Sequence, residues 1–470
     1  MKKKNILFLF TDDQRFDTIN TLGNSQIQTP NLDKLTETGT VFTHAHIPGG
    51  TCGAVCMPSR AMLHSGRTLF RIEREGQNIP PEHITIGEHF RKNGYNTFGI
   101  GKWHNGRDAF ARSFSAGDEI FFGGMTDHWN VPAYRFDPEG KYDRKSPFIS
   151  NPFAGNKVEY RNCDHIDAGK HSTDLFTETA VDFLNNCNSD SRPFFLYISL
   201  MAPHDPRTMP EKFRNMYNPD DIKLPENFLP EHPVDTGALR IRDELLAAFP
   251  RTPDEIRRHI AEYYAMITHL DFRLGQVIDA LNQNGLYENT VIVFAGDNGL
   301  AVGQHGLMGK QNLYDHSVRV PLLFSGPDIP SGVKSDALVY LSDIFPALCS
   351  ITGTEIPESV EGKDISVCFT KPDAVMHNYL YLAYAGSIRG ITDGNYKLIE
   401  YACGETQLFD LSADPYEINN IAEKNSYRQI LQKLRGSLTA EAQVNGDMLH
   451  PTGSQFWNAR TDLKNFQNDN

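Results

Sequence analysis

Three groups of residues in this sequence have the types and spacing to do chemistry. The apolar run NILFLF (5–10) leads into Thr11-Asp12-Asp13, and the run TVIVFAG (290–296) leads into Asp297-Asn298-Gly299. Asp12, Asp13, Asp297 and Asn298 offer three carboxylates and an amide, all oxygen donors, which suit a hard cation such as Ca²⁺ or Mg²⁺ rather than zinc. Either acidic pair alone reads as a helix cap or a turn. Their common position at two strand ends favours a metal. A second group is cationic: Lys102 and His104 in GKWH follow YNTFGI, His204 in APHD follows PFFLYISL, and Lys310 lies twelve residues after Asn298. Singly, these are solvated lysines and satisfied histidines; their repeated place after strands argues for a site.

The third group is TCGAVCMPSR (51–60). Pro58 suits the first residue of a helix through Arg60, Met62 and Leu63 to Gly66, which sets Cys56 just outside the N-terminus. The free amides and macrodipole there favour an anion. A lone cysteine otherwise reads as an inert buried residue or as a low-pKa thiolate nucleophile. Its distance from Arg60 is not the five-residue gap of a phosphatase loop.

These residues need a scaffold that presents strand ends together. NILFLF, the segment through YNTFGIG, PFFLYISL and TVIVFAG read as buried strands, and TPNLDKLTETG (29–39) and FTETAVDFLNN (176–186) as helices. Ile260, Tyr264, Ile267, Leu270, Leu274, Ile278 and Leu281 recur at helical spacing. Thr85 and Glu88 form a capping-box pattern. The alternation predicts an α/β fold with a large, mostly parallel sheet flanked by helices, whose ligands sit beyond the carboxyl ends of the strands. Residues 201–256 read as a long loop excursion. After about 370 the Tyr-rich segments YLYLAYAG, GNYKLIEY and TQLFDL, with a helix over 417–438, predict a smaller C-terminal antiparallel sheet plus helix. The expected division is 1–370 and 371–470.

The chain has 470 residues, enough for a deep buried site, and a net charge of -14, which argues against nucleic-acid binding. Seven cysteines show neither CxxC pairs nor disulfide-scaffold density. In MKKKNILFLFTDD the apolar run is five residues long, too short for a signal h-region, and no stretch suffices for a membrane span. The expectation is a soluble protein, periplasmic or secreted if a leader has been trimmed and cytoplasmic otherwise.

CMPSRAMLHSGR (56–67) closely resembles the signature of the formylglycine-dependent sulfatases of the alkaline phosphatase superfamily, C-x-P-x-R followed by G-R. TDDQR, GKWH, APHDP, DNG, Lys310 with RVPL (319–322), GNYKLIEY and LFDLSADPYEINNIA are similar to sulfatase landmarks in the family's order, from about residue 5 to 425. His64-Ser65 departs from the Leu-Thr that many members carry before Gly-Arg; the C-x-P-x-R core is untouched, but recognition by the modifying enzyme is open to change. The resemblance implies an alkaline-phosphatase-like fold and a Cys56 oxidised to formylglycine by a formylglycine-generating maturation enzyme. It implies one divalent cation, Ca²⁺ with Mg²⁺ as the alternative, held by Asp12, Asp13, Asp297, Asn298 and modified Cys56. Arg60, Lys102 and Lys310 would neutralise the sulfuryl oxygens, His204 would protonate the leaving alcohol, and His104 would take the proton that expels sulfate. Gln304 and His305 are substrate-contact candidates or residues that only order a loop. The implied substrate is a sulfated saccharide, for which an exo-acting, bacterial glycosaminoglycan sulfatase of the heparin/heparan uronate 2-O type is expected. The alternatives are a phosphonate or phosphate ester hydrolase and a non-catalytic sulfoglycan-binding protein.

Overall fold

The computed structural model of the protein describes residues 3–187 and 190–464. The ends of the expected division at 1–2 and 465–470 lie outside that range. The main sheet has eight strands: β1 (Asn5–Asp12), β2 (Gly39–Phe42), β3 (Asn96–Lys102), β4 (Ala116–Phe121), β5 (Phe194–Pro203), β6 (Thr290–Gly296), β7 (Leu322–Ser325) and β8 (Val333–Ser335), in the order β8-β2-β7-β6-β1-β5-β3-β4. β7 pairs antiparallel with both neighbours, and the remaining pairings are parallel. The large, mostly parallel sheet expected from the strand–helix alternation is therefore present.

The central strands read as continuous apolar runs because both faces are covered. Ile6, Phe8 and Phe10 project into one buried cluster, and Leu7 and Leu9 into the other. The second cluster is closed by Ile260, Ile267, Leu270 and Leu274 of the 31-residue helix Pro253–Gln283. That helix starts before the periodic run because Thr252 caps it, accepting from Glu255 N–H, with Pro253 at its first position.

Three local expectations are corrected. Helix Cys56–Ser65 begins at Cys56 rather than Pro58, so Cys56 is its first residue rather than a residue outside it. The tail helix spans Arg428–Asn445 rather than 417–438, since Glu417 is buried against Lys397 instead of starting a solvated helix. The excursion 201–256 is not confined to the surface: Met209, Phe213, Tyr217 and Ile222 are buried with the long helix. The Thr85 box is half made. Thr85 caps Glu88 N–H, but the Glu88 carboxylate pairs with Lys92 and Arg112.

The smaller sheet contains Leu380–Tyr384, Ile388–Thr392, Tyr396–Tyr401 and Thr406–Asp410, paired antiparallel in sequence. Its edge is extended in parallel by Gly49–Gly50, the segment that leads into the Cys56 loop. Leu382, Leu398 and Trp457 share one apolar cluster with Phe8 and Val293. Among the described residues no helix is long and apolar enough to cross a membrane.

Candidate functional site

The strand register assembles the site. Thr11 lies opposite Gly296, which sets Asp12-Asp13 beside Asp297-Asn298. Asp12 lies opposite Pro203, which brings His204 to Asp13. Gly101 lies opposite Ser199, so Lys102 emerges from the next strand along. Four neighbouring strands thus deliver four of the sequence-defined segments to one carboxyl-end edge.

Helix Cys56–Ser65 supplies the fifth. All ten of its residues are buried. Ser59 Oγ donates to the Asp297 carbonyl at 2.6 Å and Arg60 Nε to Asp297 Oδ2 at 2.9 Å, which fixes the helix against β6. Arg60 Nη1 also donates to the Lys102 carbonyl at 3.1 Å and to Ser199 Oγ at 2.6 Å. His64 is a core histidine: its ring lies 4.3 Å from that of Trp103, and its Nε2 is 3.2 Å from Tyr197 Oη.

Around Cys56, Lys102 Nζ lies 3.6 Å and His104 Nδ1 3.5 Å from Sγ. Lys102 also pairs with Asp12, and Lys310 Nζ donates to Asp13 Oδ1 at 2.5 Å. His204 Nδ1 donates to the Asp205 carbonyl at 2.7 Å, which leaves its Nε2 directed to Asp13 Oδ2 at 3.6 Å. Burial pushes the Cys56 pKa up although Lys102 and Lys310 pull it down. Burial, with Lys102 and Arg60 adding to it, lowers the His104 pKa to about 2, so its ring is neutral. Asp13 and His104 both take left-handed backbone, φ 66° and 74°, a cost of about 1–3 kcal/mol each that surrounding structure must hold.

The expected cation can be tested on the donor set. Single ligand atoms of Asp12, Cys56 and Asp297 lie within 4.8 Å of one another, as do those of Asp12, Asp13 and His204. Asp12 Oδ1, Asp13 Oδ2 and Asn298 Oδ1 are buried and accept no hydrogen bond, an arrangement that is costly unless a ligand satisfies it. Burial first, and then the neighbouring Asp12, raise the Asp297 pKa to about 7. Three unpartnered oxygens among crowded carboxylates fit a hard cation.

Gln304 and His305 sit apart from these contacts. Asn227 Nδ2 is 3.0 Å from His305 Nε2 and 3.5 Å from Gln304 Oε1, and the His305 ring stacks on Tyr314 with centroids 3.9 Å apart. Sequence reasoning missed Ser59, Ser199 and the pair Arg242–Asp205 at the edge of the site. Arg242 Nη1 bonds Asp205 at 3.1 Å and Asp243 at 3.0 Å, and Asp243 accepts from Gln311 at 2.7 Å. Arg242 and Asp205 lie in irregular backbone that carries no periodic signal, and Ser59 and Ser199 are small polar residues inside a helix and a strand that nothing in the local pattern singles out.

The sulfatase family model matches residues 4–354, about three-quarters of the chain. The chain belongs to the sulfatase family. It is a sulfuric ester hydrolase by that membership, and residues 303–444 additionally match the C-terminal model of N-sulphoglucosamine sulphohydrolase. An ulvan-active sulfatase of Formosa agariphila is 29% identical over 463 residues, covering 95% of this chain and 82% of that protein. A protein solved in complex with its substrate D-glucosamine-2-N,6-O-disulfate superposes with a TM-score of 0.77 at 21% identity, covering 95% of this chain and 99% of the other. A structure described as a 2-O GAG sulfatase gives a TM-score of 0.70 at 21% identity over 95% and 94% of the two chains. The fold of this sulfatase is thereby the alkaline-phosphatase-like one that the motif resemblance implies.

Proposed function

We propose that this sulfatase removes a sulfate ester from a saccharide, with Cys56 acting after oxidation to formylglycine. The observation that carries this reading is the convergence of Asp12, Asp297 and Cys56 ligand atoms within 4.8 Å, with Lys102 Nζ 3.6 Å from Sγ. In this reading Asp12, Asp13, Asp297, Asn298 and the modified residue 56 hold one Ca²⁺, with Mg²⁺ the alternative. The bound cation would polarise a sulfate oxygen. A hydrated aldehyde at 56 would supply one hydroxyl to attack sulfur with loss of the alcohol, and loss of the proton of the second would re-form the aldehyde and break the carbon–oxygen bond to the transferred sulfate.

The chain's own residues do the rest. Lys102, Arg60 and Lys310 surround the position that negative charge develops on, where preorganised donors act most strongly. His204 presents Nε2 to the leaving alcohol, because its Nδ1 is committed to the Asp205 carbonyl. His104, neutral and 3.5 Å from Sγ, is placed to take the proton from the second hydroxyl. Residues 1–370 carry this chemistry, and 371–470 with the excursion 201–256 border the saccharide; Tyr384, paired with Gly50, joins the tail sheet to the segment that leads into the Cys56 loop.

The glycan-active relatives support a saccharide substrate, and within that class we favour an exo-acting uronate 2-O-sulfatase of glycosaminoglycans. Maturation then requires a formylglycine-generating enzyme as partner. Cys56→Ala is expected to abolish turnover of a sulfate ester without lowering Tm; full activity in that variant contradicts the nucleophile assignment. Turnover of a phosphonate monoester above that of any sulfate ester would move the chain to the alternative hydrolase class.

A further inference from the structure

We propose that His128 and His171 are positioning residues that clamp the backbone of the general-acid segment His204–Thr208. This rests on the assignment of His204 as proton donor to the leaving alcohol. The segment follows β5 and has no strand partner beyond Pro203 in the sheet. Two histidines hold its ends: His128 Nε2 lies 2.9 Å from the His204 carbonyl and His171 Nε2 2.9 Å from the Thr208 carbonyl. Both rings are buried and stacked face to face, with centroids 5.0 Å apart and planes within 5°.

The partners fix each tautomer. A carbonyl only accepts, so both Nε2 atoms carry the proton. His128 Nδ1 then accepts from Ser172 Oγ at 2.6 Å, and His171 Nδ1 from Thr173 N–H at 3.2 Å. Each ring nitrogen is used once and in one sense. Burial lowers the two pKa values to about 4 and about 3, which keeps both rings neutral near pH 7.

The consequence falls on His204. Its Nδ1–H is bound to the next carbonyl in the chain, so the direction of Nε2 follows the backbone at residues 204–205. His128 holds that same peptide. Loss of its donor frees the backbone to rotate and carries the proton away from the leaving oxygen, while Lys102, Arg60 and Cys56, which stand on other elements, keep their places.

The test is the dependence of kcat on leaving-group acidity, across the aryl and alkyl sulfate esters that the wild-type enzyme turns over. His204→Ala sets the reference and is expected to lose most on the poorest leaving groups. His128→Leu should reproduce that graded loss in kcat with little change in KM, by roughly tenfold or more between best and poorest leaving group, as loss of general-acid assistance predicts. His128→Gln retains an N–H donor and should recover most of it. Should His128→Leu fail to fold, Ser172→Ala, which removes the hydroxyl that donates to His128 Nδ1 and holds the ring in place, should show a smaller graded loss. A loss equal across all leaving groups, in His128→Leu or Ser172→Ala, overturns the clamp while a graded His204→Ala leaves the acid assignment standing. A flat response in His204→Ala overturns that assignment itself.

Discussion

Asp12, Asp13 and Asn298 each keep one buried oxygen without a donor, while Asp12 is already paired with Lys102 and Asp13 with Lys310. The lysines therefore do not finish neutralising the site. A cation that binds only the folded form stabilises it by about 2.7 kcal/mol at a hundredfold excess over Kd. Adding Ca²⁺ to chelated protein should raise Tm by a few degrees, and the shift should shrink in Asp12→Asn; a Tm indifferent to Ca²⁺ would contradict the donor set. At this scale the sequence was highly informative. Asp12, Asp13, Lys102, His104, His204, Asp297 and Asn298 lay just after apolar runs, and strand ends of a parallel sheet must gather at one edge, while Cys56 and Arg60 were marked by their motif. His128, Ser199 and Arg242 were not legible, because their partners are 37 to 139 residues away and no local pattern marks them.

The elements aim what the residues carry. β4 carries one extra residue, Glu119, opposite the Ile100–Gly101 step of β3, a bulge that bends β4 where it pairs with the strand bearing Lys102. Gly101 has φ +85°, and a Cβ there would meet the Ser199 carbonyl oxygen at 2.0 Å. Gly101→Ala is therefore expected to lower stability by about 1–3 kcal/mol from the backbone alone, and to displace Lys102 from Asp12 with loss of activity. Gly23, equally left-handed but with nothing within 4 Å, is the control: Gly23→Ala should cost stability and spare kcat. Thermal melts and steady-state rates on the two variants separate these effects. Strand and helix identity was readable from periodicity, but boundaries were not. Pro58 suggested a start two residues late, because the first turn of the Cys56 helix is held by Ala54 and Val55 carbonyls rather than by a polar cap.

At the scale of the whole molecule, the tail sheet is bonded into the catalytic part. Lys397 is fully buried and pairs with Asp315 and, at 2.7 Å, with Glu417, tying the strand Tyr396–Tyr401 to the segment after Lys310. Lys397→Met takes the cation away from buried Glu417 and leaves Asp315 only Arg319, at 3.2 Å, and His46, and should cost roughly 3–5 kcal/mol, whereas Lys433→Met, which breaks an exposed pair with Asp393, should cost at most about 1 kcal/mol. Denaturant unfolding distinguishes them. The change of texture after residue 370 was visible in the sequence, but the pairing of Leu380–Tyr384 with Gly49–Gly50 was not, since a two-residue glycine strand carries no strand signal. The central claim is that sulfate transfer runs through an aldehyde at position 56. Its most direct test is mass analysis of the peptide containing residue 56 across preparations matured to different extents, each assayed on the same sulfate ester. Specific activity should rise in proportion to the fraction carrying the lighter aldehyde in place of the thiol. Full turnover by protein in which that peptide carries only unmodified cysteine would contradict it.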